Sequence, residues 1–372
     1  MHVRRLMVNK GENMKNKKYF IIASFIVSLT VMLASCGKST STTSSNLTNT
    51  SSSVSSPTSS SANTSGIAVT ATLPVSNGAF RLAYDSGQGE IFVVNGADTL
   101  PESVISDTTN MVNPGASGYG GNFVVYDSGK NELFETRNSY YTGWVISDTT
   151  GQATTLTVPE AGIYLPGGIT YDSGTGDIFI ANEGSNDVVI VSDNTNAQIG
   201  TVTVGKYPQG IAYDSGKREV FVANSSDNNL SVISDSNNQV VATVTLPAQS
   251  YPSGVAYDSA KNEVFVTNSY SGTVSIISDS SNKVIATVTL PKLSEPGAIA
   301  YDSGKGEIFV ANPGQNNAPG TVSVISDSTN SIIATVNVGT SPNSLAYDPS
   351  KGEVFVANGA DKTVSVISDS SH

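Results

Sequence analysis

From Gly66 to His372 the apolar residues come in bursts of 5 to 7, rich in Val, Ile and Phe and bounded by Gly, Ser, Asn and Asp. Short β-branched runs between turn formers predict strands, and the 3.6-residue period of an amphipathic helix is absent throughout. The bursts repeat as a unit. The dipeptide Tyr-Asp recurs at Tyr84, Tyr126, Tyr171, Tyr213, Tyr257, Tyr301 and Tyr347, at intervals of 42, 45, 42, 44, 44 and 46 residues. That period belongs to four-stranded propeller blades. The fourth unit is the clearest: Gly210 to Asp214, Glu219 to Asn224, Leu230 to Asp235, and Val240 to Leu246. Four short strands repeated seven times predict an all-β, seven-bladed β-propeller with four antiparallel strands per blade.

The ends of the repeat array predict how the ring closes. The last unit stops after its third strand, so its blade lacks an outer strand. The first unit is preceded by Ile67 to Val75, whose Val69-Thr70-Ala71-Thr72-Leu73-Pro74 matches the outer-strand text Ala286-Thr287-Val288-Thr289-Leu290-Pro291. The N-terminal strand should therefore complete the C-terminal blade and leave no open ring edge.

Upstream the patterning changes. Met14 to Lys18 is basic, Tyr19 to Leu33 is apolar, and Ala34-Ser35-Cys36 follows. A basic start, a short apolar run and small residues before a cleavage point read as a secretory signal. Leu33-Ala34-Ser35-Cys36 resembles the lipobox of lipoprotein signal peptides, which implies lipidation at Cys36 and a membrane anchor made by acyl chains. An uncleaved single-span anchor is the alternative, since the 17 residues from Tyr19 to Ser35 are at the lower limit for crossing a bilayer. Residues 1–13 precede a complete signal and read as an upstream mis-start, because Lys10-Gly11-Glu12 can be encoded by a ribosome-binding site. From Ser39 to Ser65, 20 of 27 residues are Ser or Thr. Such a stretch cannot offset its chain entropy by burial and reads as a flexible tether. Sequons stand at Asn46, Asn49 and Asn63. The expected organisation is 1–13 mis-start, 14–36 signal peptide, 37–66 tether and 67–372 propeller.

The text Val264-Phe265-Val266-Thr267-Asn268, Gly272-Thr273-Val274-Ser275-Ile276-Ile277 and Lys283-Val284-Ile285-Ala286-Thr287-Val288 resembles the YVTN-type β-propeller repeat of bacterial extracytoplasmic and archaeal surface-layer proteins. The resemblance covers about 300 residues. It implies a surface or periplasmic location and a binding role, with no particular ligand.

Composition narrows the chemistry. Only 13% of residues are charged, the net charge is −12, the two histidines are His2 and His372, and Cys36 is the sole cysteine. Zinc sites and Ser-His or Cys-His catalysis need those residues inside the fold, so no cofactor, metal site or catalytic residue is expected. Residues 1–38 carry seven bases and one acid, which leaves 12 bases against 30 acids in the remainder. Such a balance disfavours nucleic acid. Three acids recur in every repeat, among them Asp214, Glu219 and Asp235 in the fourth, and in all but the second an Asn recurs eleven residues after the Tyr. A calcium-binding ring and turn chemistry both use such residues, and repetition in every blade favours turns.

Candidate sites are the positions that break the repeat. Loops joining second to third strands share one face with the connections between blades, and these loops carry Tyr119, Tyr140, Tyr141, Tyr164, Tyr207, Tyr251 and Tyr270. Amphipathic rings there suit sugar or protein contacts, or cover an otherwise small-residue surface. Blades 1 and 2 diverge most. Where most blades have a small residue they carry Arg81 and Phe123; Arg137 replaces the repeated Asn, with Glu135 nearby, and Trp144 replaces a Ser. Arginine holds carboxylates and phosphates bidentately, although a local Arg137–Glu135 pair would account for one of the two. The expected function is a lipid-anchored cell-surface or periplasmic module that binds an envelope protein or glycan through its loop-rich face. The alternatives are a surface-layer subunit and a lactonase- or lyase-like enzyme, the last disfavoured by the scarcity of histidine and cysteine.

Overall fold

A computed structural model describes residues 66–368 except 77, 96–101, 116–120, 138–141, 160–161, 293 and 316–317. The signal, Cys36, the tether with its sequons, Tyr119, Tyr140 and Tyr141 lie outside the described residues. The described chain forms seven sheets of four antiparallel strands, the blades of a β-propeller. Blade 4 runs outward from its inner strand Pro208–Asp214 through Glu219–Asn224 and Asn229–Ser234 to the outer strand Gln239–Thr245. Blade 7 takes its outer strand from the opposite end of the chain: Ala68–Pro74 pairs antiparallel with Thr363–Ser368. The predicted closure is present.

The core lies between blades. Second strands such as Glu219–Asn224 are buried along most of their length, because both of their faces meet a neighbouring blade. One fully buried Phe per blade (Phe134, Phe179, Phe221, Phe265, Phe309 and Phe355) anchors six of these seams.

The Asp of each Tyr-Asp dipeptide is turn chemistry. Asp214 Oδ1 accepts the backbone N–H groups of Gly216 at 2.8 Å and Lys217 at 3.1 Å, and Asp172, Asp258 and Asp302 do the same in their blades. Each of these turns ends in a left-handed residue, with φ near 60° at Gly89, Asn131, Arg218 and Asn262. Gly and Asn tolerate that conformation at little cost. Arg218 does not share this tolerance, and its guanidinium is held at 2.9 Å from Asp235.

The same Asp residues also join the blades. The hydroxyls of Tyr126, Tyr171, Tyr257 and Tyr301 each lie against the turn Asp of the preceding blade, and Tyr84 of blade 1 lies against Asp348 of blade 7. Burial, reinforced by those carboxylates, pushes the phenols above their ordinary range. Lys130 and Lys217 donate across the next seam to the backbone carbonyls of Asp193 and Asp279.

The repeated Asn bridges the hairpin between the second and third strands. Asn224 Nδ2 donates to Asn229 Oδ1 at 2.8 Å and to buried Ser231 Oγ at 2.9 Å; Asn268, Asn312 and Asn358 repeat the arrangement. Asn224→Ala is expected to destabilise the ring by about 1–3 kcal/mol, since it strands a buried hydroxyl. Urea unfolding checks this, and an unchanged midpoint would refute it.

Candidate functional site

The symmetry-breaking residues of blades 1 and 2 fall at one end of the ring, where the inter-blade connections lead into the inner strands. Arg81 begins the inner strand Arg81–Asp85 of blade 1, and Phe123 begins Phe123–Asp127 of blade 2. Three residues before the repeated Tyr, blades 3 to 5 have Gly168, Gly210 and Gly254. A Cβ there would come within 2.1–2.5 Å of the next inner strand's carbonyl oxygens. The ring is too tight for a side chain at those positions. Arg81 stands where that spacing has opened. Its guanidinium lies 4.4 Å from the centroid of Phe80 and 4.5 Å from that of Phe123. Its Nη1 donates to Phe80 O at 2.9 Å and, across to blade 7, to Asn343 O at 3.2 Å. No carboxylate pairs with it among the described residues, and burial lowers its pKa to about 10. Two aromatic faces and two carbonyl dipoles hold the charge without neutralising it.

Arg137 and Trp144 are a second linked pair. They occupy the positions of Asn224 and Ser231, seven residues apart, so one hairpin contact has been replaced as a unit. Arg137 ends the strand Glu132–Arg137 and lies 5.8 Å from the Trp144 ring centroid.

Sequence patterning missed the third group. Glu135 and Glu102 are almost fully buried and meet across the seam between blades 1 and 2. At the equivalent positions five other seams carry apolar pairs in shared core clusters: Val188 with Val222, Leu230 with Val266, Val274 with Val310, Val322 with Val356, and Val364 with Val93. Two carboxyls have replaced two aliphatic side chains in one seam. Gly121 N–H donates to Glu135 Oε1 at 2.7 Å, while neither oxygen of Glu102 is placed for a regular hydrogen bond with a described residue. Burial, then the charge of Glu135, pushes Glu102 far above the carboxylate range. Burial raises Glu135 to about 7, opposed by the neighbouring Glu102 carboxyl, the Gly121 N–H and the Arg137 charge. The pair holds at least one proton between its members near neutrality, because adjacent like charges cannot both ionise in a dry seam. The expected Arg137–Glu135 relation is thus one part of a larger cluster. The missed signal was an acid nine residues after the Tyr, where every other blade has Val or Ile.

The loop aromatics divide. Tyr251 and Tyr270 make a tilted pair with ring centroids 5.4 Å apart, and Tyr270 is 70% exposed. Tyr207 is half exposed. Tyr207 and Tyr251 both precede a proline with φ of 54° and 49°, a left-handed backbone that is costly for a bulky residue. Tyr164 covers Gly184, where a Cβ would meet its ring at 2.0 Å. The partners of Arg81 are Phe80, Phe123 and Asn343, and none of these tyrosines is among them.

No family model matches the chain, and no curated protein matches it by sequence. Solved structures do. A hydrazine synthase chain of Kuenenia stuttgartiensis superposes with a TM-score of 0.69 at 14% identity, covering 80% of this chain and 96% of that one. A streptogramin B lyase superposes at 0.66 with 16% identity, covering 80% and 96%. Virginiamycin B lyase from Staphylococcus aureus superposes at 0.67 with 17% identity, covering 81% and 99%. Neighbours named as enzymes mean that the architecture itself does not argue against catalysis. At these identities the likeness establishes one thing: the chain is a seven-bladed β-propeller.

Proposed function

We propose that this protein is an extracytoplasmic binding module of the YVTN-type propeller kind, anchored by lipid at Cys36 and engaging an envelope protein or glycan through its loop-rich face. The observation that carries the reading is Arg81, a half-buried cation with no acidic partner among the described residues, at the loop-face end of a ring whose other positions, Phe123 apart, are small residues. Burying an uncompensated charge is costly, and a partner anion would recover that cost. The Tyr251–Tyr270 pair and Tyr207 supply outer contact area of the amphipathic kind that recognition surfaces use. The test is capture by the full-length protein from envelope extracts and on a glycan array. The wild type should retain a partner that the Arg81→Ala, Arg137→Ala double variant loses, and equal capture by both would remove these residues from the interface. Radiolabelled palmitate should enter the wild-type protein but not Cys36→Ala; equal labelling would defeat the anchor.

A second reading, a lyase- or lactonase-like enzyme, draws on the Glu102–Glu135 pair alone. Two carboxyls from different blades sharing a proton form a candidate general acid–base unit. Under that reading Glu135→Gln would abolish turnover of a cyclic ester while leaving the melting temperature near that of the wild type. No cyclic-ester turnover by the wild type would dismiss it.

A further inference from the structure

We infer that Arg81 is the centre of a carboxylate-binding subsite, taking a planar monoanionic carboxylate that sits beside an apolar group. The inference rests on the binding-module reading and gives the partner its chemistry.

The geometry of the donors comes first. Both hydrogen bonds that the guanidinium makes to described residues use Nη1, to Phe80 O and to Asn343 O. Nε and Nη2 bond to no described residue, and together they form the edge of the fork that receives the two oxygens of one carboxylate. Phe80 and Phe123 lie against the guanidinium, with its central carbon 4.4 and 4.5 Å from their ring centroids. The Nε and Nη2 edge is thus the side with donors left for a ligand. The residue is half-buried, so the group keeps contact with solvent.

Charge then selects among anions. One guanidinium balances one negative charge, and the groups that touch Arg81 among the described residues include no second cation. With 30 acids against 12 bases after Lys38, the domain repels polyanions and leaves a dianionic phosphate undercompensated. Finally, the two phenyl rings wall the approach, so a carboxylate flanked by an apolar group fits better than one flanked by hydroxyls.

The test follows the Arg81 Nε–H resonance of the full-length protein by NMR, assigned by its loss in Arg81→Gln, during titration with benzoate, glucuronate and inorganic phosphate. Saturable benzoate binding is expected, at least tenfold tighter than glucuronate or phosphate. It should be at least tenfold weaker in Arg81→Lys, which keeps the charge but not the fork, and absent in Arg81→Gln. If Arg81→Gln fails to fold, Arg81→Lys carries the comparison, with benzoate protection of the wild-type melting temperature as its second readout. Benzoate binding unchanged by either substitution, no benzoate binding, or phosphate or glucuronate binding as tightly as benzoate would overturn the inference. A macromolecular partner still captured by Arg81→Gln would leave the binding-module reading standing and remove this subsite from it.

Discussion

Deletion of residues 67–75 is expected to abolish cooperative folding. The strand Ala68–Pro74 pairs along its length with Thr363–Ser368, and Ile67 and Val75, 2% and 8% exposed, belong to the two core clusters that flank blade 7. Burying those two side chains alone is worth about 3–6 kcal/mol. The lost ladder adds to that, and the deletion leaves the edge of Thr363–Ser368 unpaired. Together these approach the roughly 5–15 kcal/mol that hold an ordinary domain together. Circular dichroism during heating should show a broad, non-cooperative loss of β signal. A cooperative transition within a few degrees of the wild type would defeat the closure as a source of stability.

The second large effect has the opposite sign. Glu102→Leu combined with Glu135→Val gives the seam between blades 1 and 2 the Leu230–Val266 pair of the seam between blades 4 and 5. Replacing buried, mutually repelling carboxyls by aliphatic groups of matching position should stabilise the ring. The sign of the pH dependence follows from the raised carboxyls. Between the ordinary carboxylate value of 4.5 and the folded values, the native state holds protons that the unfolded chain has released. The pair's contribution is therefore fully present below about 4.5 and is lost as the pH rises through about 7 for Glu135 and higher for Glu102. The Glu135 shift alone corresponds to about 3 kcal/mol. The double variant should exceed the wild type by at least that amount at pH 8 and by far less at pH 4.5, measured by denaturant unfolding. Repeated acids such as Glu219 and Glu263 are also raised by burial, so both proteins keep a common pH slope. Only the difference between them reports on the seam. A difference that stays constant with pH would sink the shared-proton account.

The residues that make this seam unusual mark it as a place where stability has been given up. Five other seams show that Val or Leu fits both positions. An acid at either position alone would be a buried unpaired carboxyl. Both together, with the Gly121 N–H and the Arg137 charge, make a unit that tolerates one negative charge. That unit lies in the seam of blades 1 and 2, beside Arg137–Trp144 and Phe123, so the ring's departures from its repeat are concentrated in one sector.

Much of this was legible in the chain alone. Strand bursts, the Tyr-Asp period and the outer-strand text before the first repeat determined seven blades and their closure, because each depends on local patterning copied many times. The turn role of Asp214 and its equivalents was legible for the same reason: an Asx turn is built within a few neighbours. Arg81 and Phe123 were visible as breaks in the repeat, but not as one contact, since they belong to different blades. The sequence did not reveal that Glu102 meets Glu135. They lie on different hairpins, and a longer loop in blade 1 hides the alignment of Glu102 with Leu230. Only packing one blade against the next decides which side chains share a seam, and in a propeller the seams are where both the core and the departures from it reside.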